Sequence, residues 1–190
     1  LHLYNRVKRF VKWWFSASAD SKHLGFLSVS LYSAQMKIHL IAIGDRMPAW
    51  VQQGFDEYTK RISGDFKVVL TEISAGKRRK NNDITKLIRL EGEKMLGAIP
   101  REGHAVALDA MGQHWNTEEL SQRLSVWMAS GKDVALMVGG PEGLSPACKE
   151  RAQECWSLSR LTFPHPLVRV VVAEQLYRAW SILRSHPYHR

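Results

Sequence analysis

The chain has 190 residues, 45% of them apolar and 24% charged, which is ordinary globular material and excludes a disordered or fibrous chain. A net charge of +9 points to a polyanionic partner such as RNA, DNA or a membrane surface. There is no uncharged apolar run of about 18 residues, so no membrane span is expected. The two cysteines, Cys148 and Cys155, lack C-x-x-C spacing and read as free thiols of a reducing, cytoplasmic compartment rather than metal ligands.

Residues 1–35 differ in character from residues 36–190. They hold Arg6, Lys8, Arg9, Lys12 and Lys22 against Asp20, a net +4 that leaves +5 for the rest. Val7, Phe10, Val11 and Trp14 fall at i, i+3, i+4, i+7, the pattern of a basic amphipathic helix. Lys12 interrupts the apolar core that a signal peptide needs. The segment could be a surface-binding arm, a docked extra helix or an extension outside the domain. The last is the expectation, with the domain at residues 36–190 and Met36 as its natural start, because the pattern from Met36 onward is complete.

From Met36 strands and helices alternate. Residues 37–43 (KIHLIAI) are an apolar run of strand length, and Pro48 sits where a helix begins. Trp50, Val51, Phe55, Tyr58 and Ile62 recur at helical spacing. Residues 66–73 (FKVVLTEI) are strand-like, and a basic loop comes next at Lys77, Arg78, Arg79 and Lys80. Asp83 can cap a helix carrying Ile84, Leu87, Ile88, Met95 and Leu96. Residues 106–109 form a third strand core. Asn116 and Glu119 have capping-box spacing for a helix that Gly131 ends. Residues 134–138 (VALMV) are apolar throughout, as in a strand buried on both faces. Pro146 opens a short helix, a brief strand is expected over 157–161, and a last helix over 167–183. This order predicts an α/β domain, a mostly parallel sheet flanked by helices. Ligands in such sheets sit beyond the carboxyl ends of the strands, here the loops at 108–110, 139–143 and 158–164.

Three groups of residues carry chemistry. Gly139, Gly140 and Gly143 form a glycine-rich loop that is neither G-x-G-x-x-G nor a P-loop, so it is either a close ligand approach or a tight structural turn. The cations at 77–80 can meet phosphates without reading sequence. The last helix is apolar nearly all round, which predicts burial on more than one side, partly against a second subunit. Glu174 and Arg178 on it are spaced to pair. Beyond it, His186, Tyr188, His189 and Arg190 pack proton-handling, stacking and cationic groups together, and Arg169 and Arg190 can hold phosphate.

GGPEGLSPACK (139–149), LSRLTFPHPLVRVVVAEQLYRAWSI (158–182) and HPYHR (186–190), with AGKRRKN (75–81) and VALD (106–109), resemble the ribosomal RNA large-subunit methyltransferase H family of the SPOUT class. The resemblance covers residues 36–190. It implies a C-terminal trefoil knot, a homodimer, and S-adenosylmethionine as methyl donor to N3 of a pseudouridine in 23S rRNA of the large subunit or ribosome. It places cofactor contacts on Leu108, Gly139, Leu158, Ser159, Arg160, Leu161, Thr162 and Phe163. Arg160 stands where the family usually has a small or polar residue, and Phe163 where it has Leu. His189, Tyr188 and Arg190 become the candidates for catalysis, from the neighbouring subunit. No metal is implied. A non-catalytic ribosome-associated RNA-binding factor would use the same basic loop and dimer. A tRNA-modifying relative lacks its added domain here, and a dehydrogenase its glycine fingerprint.

Overall fold

The structure is a computed structural model that describes residues 35–78 and 83–189. The helix expected near the start, and Arg79, Lys80 and Arg190, lie outside the described residues. Strands β1 (Met36–Ile43), β2 (Phe66–Ile73), β3 (His104–His114), β4 (Val134–Val138) and β5 (Glu154–Ser157) form one sheet in the order β2-β1-β4-β3-β5. Every pairing is parallel. Between and after them run α1 (Ala49–Thr59), α2 (Ile84–Ala98), α3 (Thr117–Ser130), α4 (Pro146–Arg151) and α5 (His165–Leu183), and a 3-10 turn comes last at Pro187–His189.

Strand alternation divides the core into two layers. On β1 and β4, Ile38, Leu40, Ala42, Val134, Leu136 and Val138 pack with Phe55 of α1, Leu120 and Leu124 of α3, and Val172 and Leu176 of α5. The opposite face carries Ile41, Ile43, Ala105, Ala107, Ala135 and Met137 against Met95 of α2 and Cys148 of α4. All five residues of β4 are buried, as the unbroken apolar run requires. Each large side chain so buried contributes about 1.5–3 kcal/mol. Small residues on the second face let α2 lie close, and at Gly92 an added Cβ would stand 2.2 Å from Ser145 Oγ.

The local stop and start signals act as expected. Asp83 accepts from the Lys86 N–H, Asn116 and Glu119 make the reciprocal capping box, and Gly131 ends α3 at φ 66°. Three boundaries differ. β3 runs on to His114 through a register shift after Leu108, so no loop begins at 108–110. The last strand runs over Glu154–Ser157, not 157–161, because hydroxyls take over the backbone beyond it: Ser157 Oγ donates to the Ser159 carbonyl (3.1 Å) and Ser159 Oγ accepts the Leu161 N–H (3.0 Å). The last helix starts at His165, not at 167, since Pro166 fits a first turn where no N–H is needed.

The last connection sets up the site. β5 is the edge strand beside β3, yet Arg169 of α5 reaches β1 and β2. It pairs with Glu72 and donates to the carbonyls of Ile43 and Gly44. The chain therefore crosses the carboxyl ends of the strands between Ser157 and Arg169. Arg169 is 1% exposed and serves as this anchor, so it is not the phosphate holder that its charge suggested.

Candidate active site

Three neighbouring strands enclose a cleft of about 400 Å³, β4 and β5 through the loops that follow them and β3 through residues 108–110, which are strand here and not the loop expected. That volume lies within the range of small-molecule sites, about 300–1,000 Å³. Leu108, Gly139, Leu158, Ser159, Leu161, Thr162 and Phe163 line it, joined by Val138, Trp156, His165 and Val168. Arg160 does not line it. Its side chain is exposed beside the turn that Ser159 closes with Leu161. A wider depression of about 740 Å³ lies elsewhere, among Gln113, Trp115, Arg123 and Val126. Trp115 there is already engaged, stacked on Trp156 at 5.2 Å and covered by Arg123 at 4.1 Å. The smaller cleft at the strand ends is the one the fold prepares for a ligand.

The glycine loop is shaped from within. The Gly143 N–H donates to the Gly140 carbonyl (2.9 Å), closing a turn over residues 140–143, and Gly143 takes φ 86°. At Gly139 an added Cβ would stand 2.3 Å from the Gly143 backbone. The glycines are thus demanded by a tight turn whose outer surface is also cleft wall. Of the two readings left open from sequence, the tight structural turn is the one seen, and its outer surface faces the cleft.

Charge in the cleft is balanced locally. Asp109 pairs with Lys149 at 2.5 Å and accepts the Met111 N–H at 2.9 Å. The Lys149 hydrogen bond, then that N–H, hold its carboxyl below the usual carboxylate range. Glu142 is held low by its hydrogen bonds from Arg78. Burial, then the charges of Arg169 and Arg78, push His165 below an ordinary histidine, which keeps it neutral near pH 7. His165 Nδ1 and Trp156 Nε1 are buried and have no hydrogen-bond partner among the described residues. Each such group costs about 1–3 kcal/mol, which a polar ligand at this wall can relieve. Among the described residues no cluster of His, Cys, Asp and Glu is placed to hold a metal ion.

The tail does not join the cleft within one chain. Neither Tyr188 nor His189 lines it. The chain turns at Ser185 (φ 53°) and folds back along α5. The Tyr188 ring packs on Tyr177 (4.6 Å) and under Arg178 (5.0 Å), and its hydroxyl donates to Glu174 (3.2 Å). Glu174 and Arg178 pair as their spacing suggested. Burial, then the Glu174 charge, push the Tyr188 phenol up to about 12. His189 Nδ1 donates to the His186 carbonyl (2.6 Å). Tyr188 thus meets α5 at Glu174, about 13 Å of helix short of His165.

Sequence reading missed two partners. Glu91 is one, although an acid at i+4 from Leu87 and i−4 from Met95 sits on the buried stripe and signals an internal ion pair. Lys149 is the other, and no local pattern announces it. His165, read from sequence as a proton-handling group like His186 and His189, is the one of the three that lines the cleft. The basic loop also differs from expectation. Arg78 is bound to Glu91 and Glu142 and is not a free phosphate contact.

The family described as "Predicted SPOUT methyltransferase" matches residues 36–189. The chain belongs to that family, and with it to the methyltransferases. Enzymes of this class typically use S-adenosylmethionine. No helix among the described residues is long and apolar enough to cross a membrane.

Proposed function

We propose that the protein methylates N3 of a pseudouridine in 23S rRNA of the large ribosomal subunit, as a cytoplasmic homodimer with a knotted C-terminal region. The observation that carries the reading is the convergence of three strand-end segments, marked for cofactor contact by the resemblance, on one cleft in a SPOUT family member. The crossing of the strand ends between Ser157 and Arg169 supports the knot. The partly exposed stripe of Leu167, Val171, Gln175, Arg178 and Ile182 on α5 supports a dimer seam there. Free cysteines suit the cytoplasm.

Leu108, Gly139, Leu158, Ser159, Leu161, Thr162 and Phe163 would hold S-adenosylmethionine, whose sulfonium would supply an electrophilic methyl group. The cleft walls hold it in line with the incoming base, so proximity and alignment are their main contribution. N3 must lose its proton as the N–C bond forms. With Nδ1–H committed to a carbonyl, His189 carries its free lone pair on Nε2, the atom suited to accept that proton. Tyr188, whose phenol is pushed up to about 12, stays protonated and acts as a hydrogen-bond donor rather than a base. Arg190 adds a cation for the nucleotide. Because Tyr188 and His189 lie off their own cleft, they act on the partner's.

The test is transfer of labelled methyl from S-adenosylmethionine to ribosomes lacking the modification, with mass mapping of the product. One methyl on N3 of a large-subunit pseudouridine is the expected result. Ribosome binding without cofactor binding or transfer would favour a non-catalytic ribosome-associated factor. Transfer to tRNA would overturn the substrate.

A further inference from the structure

Arg78 is where the basic loop meets the glycine turn, and its guanidinium is fully used. Nε donates to both Glu142 oxygens (3.1 and 3.0 Å) and Nη2 to Glu142 Oε2 (2.7 Å). Nη1 and Nη2 donate to Glu91 (3.1 and 3.2 Å), and Nη1 also to the Gly76 carbonyl (3.0 Å). Glu91 is 6% exposed on α2 and accepts the Gly76 N–H as well (2.8 Å). One guanidinium therefore ties α2, the start of the basic loop and the turn at 140–143 together. The fit reaches the backbone: an added Cβ at Gly140 would stand 2.8 Å from Arg78 Nη2 and 3.2 Å from Glu91. Gly140 makes room for this clamp.

We infer that Arg78 is a positioning residue for S-adenosylmethionine: through Glu142 it holds the turn that forms one wall of the cleft. Arg78 itself does not line the cleft, whereas Gly139, Gly140, Pro141, Glu142 and Gly143 do. The alternative use of Arg78, a phosphate contact for RNA, would require it to give up carboxylates already held by forked hydrogen bonds. Lysine cannot replace it, since one ammonium cannot span two carboxylates with the same planar fork. The inference rests on the cofactor reading above.

Three variants test it. R78K keeps a charge beside buried Glu91, and E142Q keeps the Arg78–Glu91 pair, so neither leaves an uncompensated buried carboxylate. The third is the double variant. S-adenosylmethionine affinity is measured by calorimetry, and amide hydrogen exchange over residues 139–144 is measured on cofactor-free protein. Each single variant is expected to bind about tenfold more weakly, as loss of a charged hydrogen bond implies. The double variant should be within about twofold of the weaker single one, since one linkage is broken twice. Exchange over 139–144 should quicken in all three, while α3 and β4 keep their protection. Wild-type affinity in R78K, losses that multiply, or unchanged exchange would each overturn the clamp. If the wild-type protein itself fails to bind S-adenosylmethionine, the cofactor reading falls instead, and the exchange result still decides whether Arg78 holds the turn.

Discussion

The two ends of α5 are built by different means. Its first turn is fastened by charge and backbone: Arg169 reaches the ends of β1 and β2, and His165 closes the cleft. Its last turns are fastened by rings: Trp180 and Tyr177 stack at 5.8 Å, Tyr188 folds onto Tyr177, and Trp180 Nε1 donates to Asp65 (2.7 Å). The first end is deep in the fold and shapes a cavity. The second is buried at Tyr177 and Trp180 and carries the more exposed tail, whose proton-handling groups lie away from that cavity. Under the proposed function a methyl transfer uses both kinds of end at one place. The described residues of one chain do not bring them together, and the proposal is that two chains do.

Removing the second end should have the largest effect. Deleting residues 186–190 is expected to cut methyl transfer by at least about 10²–10⁴-fold, the scale of general acid–base catalysis, measured with labelled cofactor on ribosomes. Cofactor affinity should stay within about threefold, since the described tail residues do not line their own cleft. A comparable loss of cofactor affinity would mean that the tail shapes the cleft instead.

Damage to the first end should show as lost stability and lost binding. Arg169→Met removes a buried cation and leaves carbonyls of β1 unpaired. Breaking a fully buried pair costs about 3–5 kcal/mol. Glu72 keeps 35% of its side chain exposed. A loss of about 2 kcal/mol is therefore the expectation in denaturant unfolding. Gly139→Ala should reshape the turn, because its Cβ would collide with Gly143. Cofactor affinity should fall about tenfold or more by calorimetry, as for other misplaced site walls.

The smallest effect is on pH dependence. Burial, before any charge, depresses the pKa of both His104 and His165. Unfolding restores the ordinary value near 6.5, so between the folded and unfolded pKa values the unfolded chain binds more protons. Stability should therefore fall as pH drops from 7 through 6 and below, read as a declining Tm. His165→Asn should flatten the slope. A Tm that rises on acidification over that window would contradict the buried, neutral imidazole. Tyr188 should add no titration below pH 10.

The architecture was legible because it is written in local signals. A five-residue apolar run can only be a strand covered on both faces, and the caps at Asp83, Asn116 and Gly131 mark helix ends by their own hydrogen bonds. The three regions that line the cleft were legible because strand ends follow from strand positions, and the resemblance singled out seven of the residues in them. The Arg160 side chain stands outside the cleft in a direction set by the Ser159 turn, which periodicity does not reveal. Arg78 and Arg169 were read as free cations since their partners lie far along the chain, Glu142 for the first and Glu72 for the second. Charge composition counts cations and does not say which are spent inside.

The most direct measurement mixes two inactive variants: one lacking residues 186–190, the other with its cleft blocked by Gly139→Trp. If each chain lends its tail to the other's cleft, mixed dimers unite one intact cleft with one intact tail, and methyl transfer returns in the mixture. Mixed dimers that form but stay inactive would contradict a shared site.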